Sequence, residues 1–502
     1  MYVIGLDIGT TNWKASLFDT KGREVFSTKI PTITHRDKEG DYYNPEEMYG
    51  KVCLLLKKVV ASVKDASLIK AISIASMAEA GVLIDEKGRS LYPIITWYDK
   101  RTDKQREWIK NNIGQAMVNR ITGLEITHIY SLSKLMWIRE NKPEIFKKAK
   151  KWLCIPDYII FKLTGEFVTD YSIATRTMLF DIYKKAWSEK IMNLTSIDKR
   201  IFPSVFPSGY PVGKIIEKSS KETGLAKGTC VVTGGHDHVC GAFAVGCIKP
   251  GIILDSIGTS ESIFTTVDIE RMKELRDIKD FSIGCHVVKD KYYIMGGIYS
   301  ASASIEWFMK NFMKENNSYE FLIKEAKESS LGSNGLFFMP HLRGGGPPIR
   351  DPFSKGVFLG ITSSHKRADF INAILEGLCY ESRRTIEHME KVSRTKAKKL
   401  IAIGGATKNE VFMKAKVNII NKKLEVVGDI EAVSLGAALL GGLGAGIYKN
   451  ENDAINSIIR KTKIIYPDKT SAIKYDNLYR GIYKKIYPAL VLLNHKINKL
   501  YA

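Results

Sequence analysis

The sequence predicts an α/β protein made of two similarly built halves joined near residues 245 to 250. Three observations carry this expectation. The chain opens on a strand hairpin followed by a helix and a further strand, which is the plan of an α/β layer. The hairpin pattern then returns: "GLDIGTTNWKASLF" near residue 10 and "LDSIGTSESIFTTV" near residue 259 each set a Gly-Thr-[Thr/Ser] turn between two apolar strands, a weak internal repeat. Between them "CIKPG" marks a boundary. At 502 residues with 44% apolar side chains, the chain is too long for one ordinary domain and can bury a large core. The expected division is residues 1–247, residues 248–450 and a lysine-rich helical tail over 451–502.

The first half reads in order. "YVIGLDIGTT" alternates apolar residues around Asp7, and "WKASLFDTKGREVFST" supplies a second strand, a Lys21-Gly22 turn and a third strand. Asn44-Pro45 opens a helix as cap and first helical residue. "IKAISIAS" reads as a buried strand, and "AGVLIDEKGRSLYPII" as a second hairpin turning at Lys87-Gly88. From about 100 to 225 the pattern is mostly helical. After the second hairpin, "LIAIGGATKNEVFMKAKVNIINKKLEVVG" reads as strand, Gly-Gly-Ala turn and helix, with Asn409 near the helix start.

Several classes are excluded. Seven cysteines without any C-x-x-C pair argue against a disulfide framework and a zinc ribbon. No apolar run is long enough for a membrane helix. The opening "MYVIGLDIGTTN" lacks a basic segment and a cleavage site, so a cytoplasmic protein is expected. The formal charge of +22 is spread as lysines along the chain without interleaved stacking aromatics, so nucleic acid is not expected as a partner. No G-x-x-x-x-G-K-[ST] occurs, which excludes a P-loop. "GGLGAG" at 441–446 follows a helical pattern, so it is no dinucleotide fingerprint.

The chemistry concentrates in the turns. Two Gly-Thr-[Thr/Ser] turns can present N–H groups and hydroxyls to one phosphate chain, and Asp7 stands three residues before Thr10. Alone each turn reads as structural; together with Asp7 they favour phosphate. Gly404-Gly405 at a strand-to-helix turn lets a flat group such as adenine lie against backbone, and reads equally well as a tight connection. "GGHDHVCGAFAVG" (234–246) sets Asp237 between His236 and His238, open as a metal site, a base or a piece of core.

These motifs, in this order, resemble the FGGY family of carbohydrate kinases in the actin-like ATPase superfamily. "GLDIGTTNWKASLFD" and "DSIGTSES" are similar to the family's two phosphate motifs, and "IAIGGATKNEVFMKAKVNII" to its adenosine motif. "EAVSLGAALLGGLGAGIY" matches the helix that follows, and "LTGEFVTDYSIATRTMLFDI" and "DPFSKGVFLGITSSHKRADFINAILEGL" are close to further signatures. The resemblance runs from residue 3 to about 448. It implies two actin-like (ribonuclease H-like) α/β domains with a ligand cleft between them, ATP and Mg²⁺ as cosubstrate and metal, and phosphorylation of a small sugar or polyol.

Residue by residue, the resemblance makes Asp237 the general base, because a sugar hydroxyl needs a carboxylate to take its proton. It makes Asp7, with Asp237, the Mg²⁺ holder. Thr10, Thr11, Asn12, Lys14, Gly258 and Thr259 would cradle phosphates, and Gly404, Gly405 and Asn409 the adenosine. For the sugar it points to Glu79, Trp97, Asp99, Arg101, His236 and His238, with a structural reading of the Trp97, Asp99 and Arg101 group standing beside the ligand reading. Glycerol kinases carry Arg-Glu where this chain has Ala78-Glu79, and xylulokinases tend to show Met-His-Gly; neither is present. The expected substrate is a ketose, polyol or sugar acid. A zinc reading of His-x-His lacks a third ligand cluster. The rival readings are a catalytically silent actin-like ATP-binding sugar sensor and a chaperone-type ATPase; a homodimer is left open.

Overall fold

The computed structural model describes residues 1–275, 278–313, 318–428 and 430–501. The first sheet is built from β1 (Tyr2–Ile8), β2 (Asn12–Asp19), β3 (Glu24–Pro31), β4 (Ile69–Ser76), β5 (Pro211–Lys214) and β6 (Cys230–His236), in the order β5-β6-β4-β1-β2-β3. The second uses β7 (Ile252–Ile257), β8 (Glu261–Asp268), β9 (Ser282–Cys285), β10 (Lys291–Ile298), β11 (Lys399–Ile403), β12 (Leu424–Val427) and β13 (Thr462–Ile465), in the order β9-β10-β8-β7-β11-β12-β13. The helices that matter for the site are α1 (Pro45–Ala61), α2 (Ser131–Asn141), α3 (Tyr171–Thr175), α4 (Asp237–Ala244), α5 (Arg367–Ser393), α6 (Glu410–Ile420) and α7 (Ala432–Gly444).

The repeat read from the two turns extends to the whole sheets. In the first, β1 runs antiparallel to β2 and parallel to β4, and β4 runs parallel to β6. In the second, β7 runs antiparallel to β8 and parallel to β11, and β11 runs parallel to β12. Each sheet then closes on an antiparallel strand, β5 on β6 and β13 on β12. Residues 451–502 therefore supply an edge strand of the second sheet, and Tyr475, Tyr479 and Tyr483 beyond it are buried in that half's core.

Local signals act as the residues dictate. Asn44 caps α1 by accepting from the N–H groups of Glu46 and Glu47, and Gly22 turns the hairpin with φ +71°. The second expected hairpin is corrected. Its turn forms at Lys87-Gly88, where Arg89 donates its N–H to Asp85, but the return arm meets the first strand only through an isolated bridge at Ser90. The strand Gly81–Ile84 pairs instead with Lys151–Cys154, and Ile94–Ile95 with Asp41–Tyr43. Pro93 in the return arm has no N–H to give a ladder.

The halves share one core. Val239 and Phe243 of α4 and Leu435 and Leu439 of α7 pack together with Val3, Ala71 and Val232 of the first sheet and Leu254, Phe264 and Ile401 of the second. Although α7 follows the second sheet in sequence, it packs on β1, β4 and β6 of the first and crosses α4. The backbones approach so closely that a Cβ on Gly436 would stand 2.0 Å from the Cys240 carbonyl oxygen, and one on Gly5 1.8 Å from that of Ser434.

Gly436→Ala tests this contact. In an isolated helix alanine is favoured over glycine by about 1 kcal/mol. Here the obstacle is backbone that no rotamer can clear, and overpacking costs ~1–3 kcal/mol or more. The clash wins, so the melting temperature should fall by about 1 °C or more in a thermal melt. An unchanged or higher value would contradict the close crossing.

Candidate active site

The two hairpin turns are fixed from behind. In the first, Gly9 donates its N–H to the Asn12 carbonyl at 3.1 Å, and Thr32 donates its N–H to the Thr11 carbonyl at 3.0 Å and its hydroxyl to the Gly9 carbonyl at 2.8 Å. In the second, Ser302 and Ala303 donate to the carbonyls of Gly258 and Thr259 at 3.2 Å. Carbonyl oxygens are thus drawn into the fold, while Thr10, Thr11, Gly258 and Thr259 are exposed and Asn12 is partly so. Gly404 joins the second turn: its φ is +102°, and a Cβ there would stand 2.3 Å from the Ile257 carbonyl oxygen at the end of β7. Gly405 faces open space. Asn409 is engaged in the fold, its Oδ1 capping α6 through the Phe412 N–H at 3.0 Å.

Behind the first turn, Asp7 of β1 has a buried Oδ1 with no hydrogen-bond partner. Burial first, and then the charge of Asp237, push its carboxyl up to about 8, against the pull of Lys14. Lys14 itself lies 2.5 Å from Glu431, just before α7, so its charge is already shared with a carboxylate.

Asp237 begins α4 immediately after β6, with His236 at the cap position. Its Oδ1 accepts the His238 N–H at 2.6 Å and lies 3.2 Å from His236 Nε2. Burial lowers the His236 imidazole to about 4, so the ring is neutral at pH 7. The facing carboxylate assigns the proton to Nε2, and the buried Nδ1 has no partner. His238 is exposed, its ring edge-to-face with His236 at 5.4 Å. The strand-to-helix junction is pinned by Ser172, which accepts the His236 main-chain N–H at 2.9 Å and donates to Asp170 at 2.5 Å. Ser172 carried no sequence signal beyond its place in a family signature.

On the other side, buried Glu79 takes a fork from Arg176: Nε at 2.7 Å and Nη2 at 2.6 Å, both on Oε1. Burial works to raise this carboxyl, but the Arg176 charge overcomes it, with help from His236, and holds it at about 2. The arginine that is missing next to Glu79 in the sequence, where Ala78 stands, is therefore supplied by the fold. The arginine comes from the end of α3, 97 residues away, where adjacency in sequence cannot show it. Its Nη1 is buried without a partner, and the guanidinium lies 5.0 Å from the Tyr130 ring.

Trp97, partly buried, donates its Nε1–H to Thr10 Oγ1 at 3.0 Å. Asp99 and Arg101 are engaged with each other. Asp99 accepts Arg101 Nε and Nη2 at 3.0 Å and the Asp41 N–H at 2.6 Å, and the two side chains are only 4% and 6% exposed. They clamp the loop that presents Trp97, which is the structural one of their two readings from sequence.

Comparison with known proteins meets this geometry directly. The family model described as "FGGY family of carbohydrate kinases, N-terminal domain" matches residues 2–244, and the corresponding C-terminal domain matches residues 256–445. The chain belongs to the FGGY family of carbohydrate kinases. It is 32% identical to the xylulose kinase of Bacillus subtilis (strain 168) over 489 residues, covering 97% of this chain and 96% of that one. It is also 32% identical to a glycerol kinase of Saccharolobus islandicus (strain M.16.27) over 493 residues, covering 96% and 95%. Among solved structures, the xylulose kinase from Rhodospirillum rubrum superposes with a TM-score of 0.91 at 24% identity, covering 99% and 100%. The protein is thus a carbohydrate kinase with the two-domain α/β fold of its family, and the sensor and chaperone readings fall away. Among the described residues of this kinase, no helix is long and apolar enough to cross a membrane.

The Glu79–Arg176 pair gives a test of stability. Breaking a buried pair by removing one partner costs about 3–5 kcal/mol, so Arg176→Met should lower the melting temperature of the kinase at pH 7. Glu79 sits below its ordinary value of 4.5, near 2. Its stabilisation is therefore present above pH 4.5 and lost as the pH falls toward 2. The gap between wild type and variant should narrow between pH 7 and pH 3. Equal melting temperatures at pH 7 would contradict the pair's role.

Proposed function

We propose that this kinase, in the cytoplasm, transfers the γ-phosphoryl group of ATP to a terminal hydroxyl of a ketose, polyol or sugar acid of about four to seven carbons, with Asp237 as general base. The observation that carries it is the placement of Asp237: a partly exposed carboxylate at a strand-to-helix junction, flanked by neutral His236 and within electrostatic reach of Asp7. Asp237 accepts the hydroxyl proton as the sugar oxygen forms its bond to phosphorus and the β–γ bridge bond breaks, releasing ADP. Thr10, Thr11, Asn12, Gly258 and Thr259 line the phosphates. Gly404 and Gly405 give the adenosine a flat backbone seat, and Asn409 supports that seat as the cap of α6.

The residues fit Mg²⁺. Among the described residues no group of three or more His, Cys, Asp or Glu stands together as a metal cage. Mg²⁺ needs none, since it is held by one or two carboxylates together with phosphate oxygens and water. The orphaned, buried Oδ1 of Asp7 is the kind of atom such an ion satisfies, with Asp237 as its neighbour. When bound, the ion neutralises charge on the phosphates. His236 orients Asp237 and His238 borders the reacting hydroxyl. Glu79, held ionised by Arg176, accepts hydrogen bonds from sugar hydroxyls, and the Trp97 ring offers an apolar face.

A ketose is supported by the xylulose kinase relative. Glycerol is expected as a poor acceptor, because a triol leaves buried polar groups without matching hydroxyls. Since Arg176 restores a guanidinium beside Glu79, the case against glycerol rests on that mismatch alone. A panel of xylulose, other ketoses, polyols including glycerol, and sugar acids in an ADP-release assay decides it; glycerol as the best acceptor overturns the substrate class. Asp237→Asn should lower kcat by about 10²- to 10⁴-fold while calorimetry shows ATP binding nearly intact. A variant with more than half the wild-type kcat overturns the assignment. Turnover should stop in EDTA and return with Mg²⁺; activity that persists in EDTA overturns the role of Asp7.

A further inference from the structure

The reading above puts Trp97 on the sugar side and Thr10 on the phosphate side, and the inference here rests on it. These residues are 87 positions apart and joined by one hydrogen bond, from the indole Nε1–H to Thr10 Oγ1 at 3.0 Å. Both ends are mounted on rigid supports. The Trp97 loop is clamped by Asp99 and Arg101, whose guanidinium also lies 5.3 Å from the Trp137 ring. The Thr10 turn is held from behind by Thr32. The indole ring itself is only partly buried, edge-to-face with Tyr98 at 5.4 Å.

The hydrogen-bond inventory sets a direction. An indole N–H only donates, so Thr10 Oγ1 is the acceptor in this bond, and its single hydroxyl proton is left to be given elsewhere. On an exposed turn that proton serves an anionic acceptor such as a phosphate oxygen. We infer that the Trp97–Thr10 hydrogen bond couples the two substrate sites: a sugar seated on the Trp97 ring fixes the indole, and with it the Thr10 hydroxyl as a donor to the phosphates of ATP. Trp97 is in this respect a positioning residue for the nucleotide. The ordering cost of the ring is met by whichever ligand arrives first, so the second binds more tightly. By linkage the effect is reciprocal.

Calorimetry with a non-hydrolysable ATP analogue and xylulose, or the better acceptor that the panel returns, tests this. In the wild type each ligand should tighten the other by the same factor, about 5-fold or more. Trp97→Phe keeps an aromatic face and removes the donor, so this factor should collapse toward one. Thr10→Val removes the acceptor and should abolish the coupling as well, and Thr10→Ser should retain it. In the double variant Trp97→Phe, Thr10→Val the losses should not add. A wild type without coupling, a Trp97→Phe variant that retains it, or additive losses would overturn the inference. Should Trp97→Phe fail to fold, the Thr10→Val and Thr10→Ser pair decides by itself. If Trp97→Ala leaves sugar affinity unchanged, the placement of the sugar on this ring fails instead, which separates that outcome from a failure of the coupling.

Discussion

The close crossing of α4 over α7 is the contact on which the rest of the molecule depends. It exists because position 436 carries no side chain: the Cys240 carbonyl occupies the space a Cβ would need. With the backbones in contact, apolar residues of both helices reach both sheets and form one core in place of two. The same pair also sets the charges of the site. α4 begins with Asp237, and the residue before α7 is Glu431, which holds Lys14 opposite Asp7 in β1. Packing at one end of the pair and electrostatics at the other are therefore a single arrangement.

That arrangement drives two acidic side chains in opposite directions. Asp7, through its buried Oδ1, and the buried Glu79 are both withdrawn from water, which disfavours the ionised form of each. Asp7 also feels Asp237 and finds too little compensation in Lys14, so it rises. Glu79 meets a guanidinium directly and falls. A carboxylate that is costly to ionise by itself is suited to receiving a cation, and one kept ionised is suited to accepting hydrogen bonds from hydroxyl groups. Divergent environments for similar groups are how one site separates its roles.

What was legible in the sequence was what is local. Alternating apolar residues around Asp7, the Gly22 turn and the Asn44-Pro45 cap each declare themselves within a few positions, and the repeated Gly-Thr-[Thr/Ser] turn disclosed the twofold plan of the sheets. What was hidden is set by long-range pairing. Gly81–Ile84 looked like the first arm of a hairpin, yet its partner lies at Lys151–Cys154. The arginine of Glu79 comes from α3, and the partner of Lys14 stands at Glu431. β13 was masked by the lysines around it, because an exposed edge strand carries little apolar alternation. Asp99 and Arg101 were legible as a candidate ion pair, but that they engage each other rather than stand free for a ligand appears only once the loop is folded.

The order in which α7 is threaded has a mechanical consequence. A segment that belongs to the second half by sequence lies on the sheet of the first, so cutting the chain near residue 250 would not yield two self-sufficient pieces: the first would lose the lid over β1, β4 and β6. Nor can the halves swing on a slack linker, as two beads on a string do. Any rocking of one sheet against the other would have to turn about the helix crossing, which runs like an axle through the shared core. Points on an axle move least. Asp237 sits at the start of α4, on the end of that axle, so the residue proposed as the base would be displaced less than the walls around it.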